Sequence, residues 1–180
     1  MKATGIVRRI DDLGRVVIPK EIRRTMRIRE GDPLEIYTSK DGEVIFKKYS
    51  LMGGVEEFAG LICETLAKTT GNLVLVTDRD SVVAAAGNGR RELVGKRISP
   101  ALEQRMDARQ SYQLQTGEKP ESVLESSDRF FSTVAAPILS EGDVLGTVLF
   151  AAEGTPTPPT ETDIKLAQTI ACFLGRNMEG

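Results

Sequence analysis

The first fifty residues carry too few apolar side chains to close a core alone, and no disulfide or metal set to replace one. A unit of that size is marginal as a monomer. Any short sheet that it forms also needs a second layer. The segment is therefore expected to fold as a dimer. Its pattern fits small sheets. Ala3–Ile10 reads as a strand, β-branched at Thr4, Ile6, Val7 and Ile10. Asp11-Asp12-Leu13-Gly14 reads as a turn and Arg15–Ile18 as a second strand. Pro19 suits the first position of a helix, and Lys20–Met26 can follow with Ile22 and Met26 on one face. Glu30–Pro33 breaks the chain, and Leu34–Tyr37 alternates as a strand. Asp41-Gly42 signals a hairpin turn of type I′, with positive φ at both centres, and Val44–Phe46 returns toward Lys47 and Lys48.

Charge divides the chain. The formal net charge of −2 over 180 residues sums a head of +4 (residues 1–50, 12 basic against 8 acidic) and a remainder of −6 (12 against 18). Seven of the nine basic residues in 1–30 are arginine. A basic head on an acidic body suggests that the head meets a polyanion and the body does not.

The segment Thr4-Gly5-Ile6-Val7-Arg8-Arg9-Ile10-Asp11-Asp12-Leu13-Gly14-Arg15-Val16-Val17-Ile18-Pro19 resembles the signature of the AbrB-type transition-state regulators. Glu21-Ile22-Arg23-Arg24-Thr25 and Lys47-Lys48-Tyr49 extend the resemblance over nearly all of residues 1–50. It implies a swapped-hairpin β-barrel in which two chains interleave into an obligate dimer. It also implies duplex DNA as the partner, bound through Arg8, Arg15, Arg23 and Arg24, with Arg9 at a position where the family tends to be basic. Guanidinium groups suit this work, since they grip phosphate bidentately and can read a guanine edge. No base-reading code is visible, so DNA shape and phosphate position can matter as much as base edges. The competing reading of each arginine is an ion pair with Asp11, Asp12, Glu21 or Glu30.

Residues 51–55 read as a linker, with Gly53-Gly54 and a change of charge sign, and residues 56–180 as a second domain. Val55, Phe58, Ala59, Ile62 and Leu66 recur at helical spacing, and Gly71-Asn72 ends that helix. Leu73–Thr77 and Ser81–Ala86 read as strands around Asp78–Asp80. Ser99-Pro100 starts a helix, residues 111–129 are irregular, and Phe130–Leu139 is a strand whose Pro137 marks an edge or bulge. Val144–Ala152 is the next strand. Thr160 and Asp163 form a capping-box-like start to a last helix. In that helix Ile164, Ala167, Ala171, Leu174 and Met178 make one apolar seam, and Leu166, Ile170 and Phe173 a second beside it. One seam suffices to cover a sheet, so the second is expected to join dimers into a tetramer against the helix at 55–66 of another chain, the alternative being that it wraps the domain's own edge. The element order resembles a GAF domain: an antiparallel sheet with terminal helices on one face and a crossover region over the other. The whole is an α+β chain.

GAF domains often bind a small molecule, so an unidentified ligand is an expectation, with no ligand residues assigned. Gly87-Asn88-Gly89-Arg90-Arg91 reads either as a phosphate nest or as a glycine turn followed by surface arginines. With no histidine, Ser-His-Asp and Cys-His catalysis and histidine metal ligation are excluded. No nucleophile–base set, P-loop or metal cluster is visible, and no cofactor is expected. Cys63 and Cys172 read as buried free thiols of a reducing cytoplasm. No apolar run suits a membrane span or signal peptide, so a cytoplasmic, nucleoid-associated protein is expected. An antitoxin-like module is the alternative for the head, but antitoxins usually carry a disordered tail and this tail is patterned. The two halves together resemble transcription regulators of endospore-forming bacteria, which implies repression and activation of genes late in sporulation.

Overall fold

The computed structural model describes residues 4–49, 52 and 55–178. The chain divides into two compact units, residues 1–49 and 50–180. Of the segment read as a boundary, Ser50, Leu51, Gly53 and Gly54 lie outside the described residues. Met52, read as part of a linker, is fully buried in the core of the second unit.

In the head, helix α1 (Lys20–Met26) precedes a two-stranded antiparallel hairpin of β1 (Leu34–Thr38) and β2 (Val44–Lys48). The helix starts one residue after the expected position, with Pro19 as its N-cap. Arg27 closes it in the left-handed conformation, and the Ile28 N–H reaches back to the Arg23 carbonyl. The hairpin turn differs from the type I′ expectation. Gly42 has φ of +80°, but Asp41 is not left-handed. Gly42 N–H donates to Ser39, and Ser39 N–H to Glu43. That is the three-residue loop, a type I turn followed by a left-handed glycine, which needs only one positive φ.

The strands expected over Ala3–Ile10 and Arg15–Ile18 are absent from the described residues 4–19 of this chain. The turn between them is formed: Asp11 N–H donates to Arg15, Gly14 N–H to Asp11, and Gly14 has φ of +75°. A strand exists only through pairing, and one chain supplies these segments with no ladder partner. Their apolar side chains stay exposed, Val7 at 89 % and Val17 at 70 %. So does the hairpin face carrying Ile36, Val44 and Phe46. Pro19 is the one buried residue among those described in the head.

The tail is the reverse case. Its elements are α2 (Glu56–Thr70), β3 (Leu73–Thr77), β4 (Val82–Ala86), α3 (Arg90–Leu93), α4 (Pro100–Asp107), β5 (Tyr112–Gln113), β6 (Ser122–Leu124), β7 (Ser127–Ser140), β8 (Asp143–Glu153) and α5 (Glu161–Asn177). The sheet is antiparallel in the order β4-β3-β8-β7-β5, with β6 also paired to β7. Helices α2 and α5 cover one face, over Val74, Val76, Val148 and Phe150. The segment from α3 to β6 covers the other, over Leu73, Leu75, Leu149 and Phe130. This is the α+β layering expected of the second domain.

The caps fall where the sequence puts them. Ser99 accepts from the Leu102 N–H, Gly71 closes α2 left-handed, and Thr160 with Asp163 completes a capping box. Pro137 pairs with Thr147 on the β8 side, beyond the last β5 partner, Ala135, so no ladder bond is lost. A Cβ on Gly146 would run into the Thr77 carbonyl, and one on Gly175 into that of Leu139. Glycine is thus required where β8 meets β3 and where α5 meets β7.

Cys63 is buried, and burial pushes its thiol up to about 12. Cys172 is exposed, contrary to expectation. It follows sheet-facing Ala171 on α5, and one residue turns the helix by about 100°, away from the core.

The head's exposure generates a test. Residues 1–50 alone should melt at a temperature that rises with protein concentration, because association supplies the missing core. A monomeric mass with a concentration-independent melt would overturn this.

Candidate nucleic-acid interface

The five arginines Arg8, Arg9, Arg15, Arg23 and Arg24 are all exposed in the head. Arg8 and Arg9 sit on the extended segment before the turn, Arg15 at the turn's far end, and Arg23 and Arg24 on α1. The ion-pair alternative applies to one of them. Arg15 Nε lies 2.8 Å from Asp11 Oδ2. Among the described residues Arg8, Arg9, Arg23 and Arg24 have no carboxylate partner, although Asp12, Glu21 and Glu30 are close in sequence. Arg23 Nε donates instead to the Ile18 carbonyl at 3.2 Å, which ties the helix back to the chain that enters it.

Asp11 organises the turn. Its Oδ1 accepts from Leu13 N–H at 3.0 Å and Arg15 N–H at 2.7 Å. The Arg15 backbone N–H, followed by the Arg15 guanidinium, holds the Asp11 carboxyl below the usual aspartate range. Both side chains face solvent, Arg15 at 69 % and Asp11 at 37 % exposure, so the pair orients Arg15 more than it stabilises the fold.

Asp32 and Lys48 set the position of α1. The Asp32 carboxylate, with its side chain 5 % exposed, accepts from Arg29 N–H at 2.9 Å and lies 3.4 Å from Lys48 Nζ. Lys48 also donates to the Arg27 carbonyl at 2.8 Å. The end of β2 is thereby bolted to the loop that leaves the helix carrying Arg23 and Arg24. Sequence reading missed this anchor. Asp32 looked like a turn residue and Lys48 like the strand's charged end, and their 16-residue separation hid the pair.

In the tail, Gly87–Arg91 lines a cavity of about 560 Å³ with Glu92, Arg129 and Glu153. Arg129 binds Glu92 at 2.5 Å and Glu153 at 2.7 Å. Arg129 is neutralised by these two carboxylates and Arg90 lies 3.9 Å from Glu64, so of the three lining arginines only Arg91 has no acid beside it among the described residues. The glycines also have a packing reason: a Cβ on Gly89 would strike the Phe130 ring, and one on Gly87 the Leu73 backbone. The glycine-turn reading is therefore the better one. No group of metal-ligating side chains occurs among the described residues, and no described helix is long and apolar enough to cross a membrane.

Residues 54–179 match the family described as "Stage V sporulation protein T C-terminal, transcription factor". The chain belongs to the stage V sporulation protein T family. It is 46 % identical, over 99 % of both chains, to stage V sporulation protein T of Bacillus subtilis (strain 168). Residues 7–51 also match a family described as "Antidote-toxin recognition MazE, bacterial antitoxin". A 49-residue stretch, 27 % of this chain and 50 % of the relative, is 63 % identical to the transition state regulatory protein AbrB of the same organism. Among solved structures, a type II free methionine-R-sulfoxide reductase from Thermoplasma acidophilum has a TM-score of 0.52. It covers 69 % of this chain and 94 % of its own at 12 % identity, a likeness of fold alone. As a member of the stage V sporulation protein T family, the chain is a transcription factor and not an enzyme.

The Asp11 turn can be tested by acid titration. A depressed carboxylate holds its partners above the unfolded-state pKa and releases them as pH falls through the lower folded value. The Leu13 and Arg15 amide NMR signals should therefore move together, with a midpoint below that of an ordinary aspartate. Asp11→Asn should remove the step. A midpoint in the ordinary range would refute the arrangement.

Proposed function

We propose that this transcription factor regulates sporulation genes, as repressor and activator, by gripping duplex DNA with a dimeric head. Residues 1–50 are the DNA-binding domain and residues 56–180 the assembly domain. Two heads interleave their extended segments and hairpins, which covers Ile6, Val7, Ile36 and Phe46. The dimer then presents two copies of Arg8, Arg9, Arg15, Arg23 and Arg24. The observation that carries the reading is that four of these five guanidiniums have no carboxylate partner among the described residues, despite acids nearby in sequence. Unpaired arginines on a net-positive unit are costly to hold together and suit a polyphosphate surface.

An antitoxin role is favoured by the match over residues 7–51 alone. It fits poorly with the rest, because the tail is a folded domain with cores on both sheet faces rather than a chain free to wrap a partner.

The tail joins dimers into tetramers. In α5 the first seam faces the sheet: Ala167, Ala171 and Leu174 are buried. Of the second, Leu166 and Ile170 are half-buried against the same core and Phe173 stays outside it. Phe173 is 47 % exposed and meets Phe58 of α2 with ring centroids 6.0 Å apart, beside Leu61 at 58 % exposure. A paired apolar stripe on two adjacent helices suits a helical bundle with a second copy. A closed tetramer follows if head and tail pair different chains. The tail also admits a small-molecule ligand.

If four arginines per chain contact phosphate, log K should fall with log salt at a slope of several units. Arg8→Ala or Arg24→Ala should flatten the slope by about 2 per dimer. Unchanged affinity in both folded variants would overturn the DNA reading. Separately, light scattering should find a tetramer of the intact chain that Phe173→Asp reduces to a dimer still able to bind DNA. A native chain that never exceeds a dimer would rule out the assembly role.

A further inference from the structure

A cavity of about 430 Å³ opens at the edge of the tail's sheet, lined by Arg109, Ser111, Pro137, Gln168, Cys172 and Arg176 among others. A second hollow, of about 210 Å³, shares Ser111 and Gln168 with it and continues the groove between β5 and α5. The lining is unusual for this unit. Acidic residues outnumber basic ones 18 to 12 in residues 51–180, yet among the described residues no carboxylate lines either hollow. The basic residues Arg79, Arg105, Arg129 and Lys165 are each paired with an acid. Arg109 and Arg176, like Lys68, Arg91, Lys96, Arg97 and Lys119, make no ion pair among the described residues, but of these only Arg109 and Arg176 line the groove.

Arg109 also occupies a position that favours another residue. It follows α4 with φ of +54°. Its N–H donates to Met106 at 2.8 Å, and Gln110 N–H donates to Arg105 at 3.0 Å. That is the helix-closing site where glycine sits without strain. An arginine there contributes nothing to the closure except its side chain, and that side chain lines the groove. On α5, Gln168, Cys172 and Arg176 are four apart and form one stripe, distinct from the sheet-facing residues.

We infer that this groove is a binding site for a small organic anion, with Arg109 and Arg176 taking a carboxylate or phosphate group. Ser111 and Gln168 offer neutral hydrogen bonds beside the charge. Ala136, Pro137, Leu139 and Ala171 offer an apolar floor for a short aliphatic body. The forked guanidinium fits either oxyanion. The site lies at the sheet edge, goes beyond the DNA and assembly roles above, and does not depend on them.

Cys172 is a built-in reporter. In the intact chain it is exposed, whereas Cys63 is buried and silent. Its alkylation by anionic iodoacetate and neutral iodoacetamide is followed by mass spectrometry. The iodoacetate-to-iodoacetamide rate ratio should be several-fold higher in the native chain than in Arg109→Gln/Arg176→Gln, and should shrink as salt rises. Arg109→Gly separates binding from folding: it should raise the melting temperature while lowering the ratio. Millimolar inorganic phosphate or hexanoate should slow iodoacetate selectively, and the stronger protector identifies the oxyanion. Equal ratios in the native and double-variant chains would overturn the site. So would a native thiol inert to both reagents, or protection by neither anion.

Discussion

Strand β8 is buried on both faces from Val144 to Ala151, and that burial dictates the layers around it. Val148 and Phe150 point to one side and Leu149 and Ala151 to the other, so each side needs a cover. The helices supply one and the α3–β6 segment the other. β8 also pairs with β3 and β7 at once, which leaves no free edge in the middle of the sheet. Gly146 is the cost of that position, because the Thr77 carbonyl occupies the space a side chain would need. Fully burying one large aliphatic or aromatic side chain contributes about 1.5–3 kcal/mol, so a strand with eight buried residues in succession anchors the unit.

The head lacks any such strand. β1 and β2 are buried on neither face, and Val7, Ile10, Leu13 and Val17 stay largely exposed within one chain. What a single head does fix is local: the Asp11 turn, the closure of α1 at Arg27, and the Asp32–Lys48 anchor. These contacts orient arginines rather than build a core. The division of labour follows from composition. Side chains committed to charge cannot also be committed to burial, so a small basic unit leaves its apolar residues for a second copy to cover.

Local signals were legible in the sequence wherever one residue type answers one backbone need. Ser99 with Pro100, Thr160 with Asp163, Gly71 and Gly14 all act where their chemistry placed them. The strand expected over Ala3–Ile10 could not be seen in one chain, since β-branched residues state a preference and not a partner. Asp-Gly at residues 41–42 announced a hairpin but not its loop length, because both candidate turns accept glycine at the last position. Of the candidate interface, the arginines were legible as a charge run and as a family signature. The Asp32–Lys48 anchor was not, because sequence spacing says nothing about which distant charges fold together. Cys172 was misjudged for a related reason. Apolar neighbours on a helix indicate burial only for the face that turns inward.

Helix α5 shows how much that distinction matters. At about 100° per residue its positions separate into three faces. Ala167, Ala171 and Leu174 pack on the sheet, and Gly175 lets the helix backbone approach Leu139 closely. Leu166 and Ile170 pack half-buried at the margin of that core, and Phe173 turns toward α2, against Phe58. Gln168, Cys172 and Arg176 turn toward the groove at the sheet edge. Apolar content alone merges the first two faces and overlooks the third. A change that shifts α5 on the sheet must move all three faces together, since the close seat at Gly175 leaves no slack for the helix to roll independently. An anion held by Arg109 and Arg176 would therefore act on the same element that carries the Phe173 stripe, which would couple the proposed ligand to the proposed assembly.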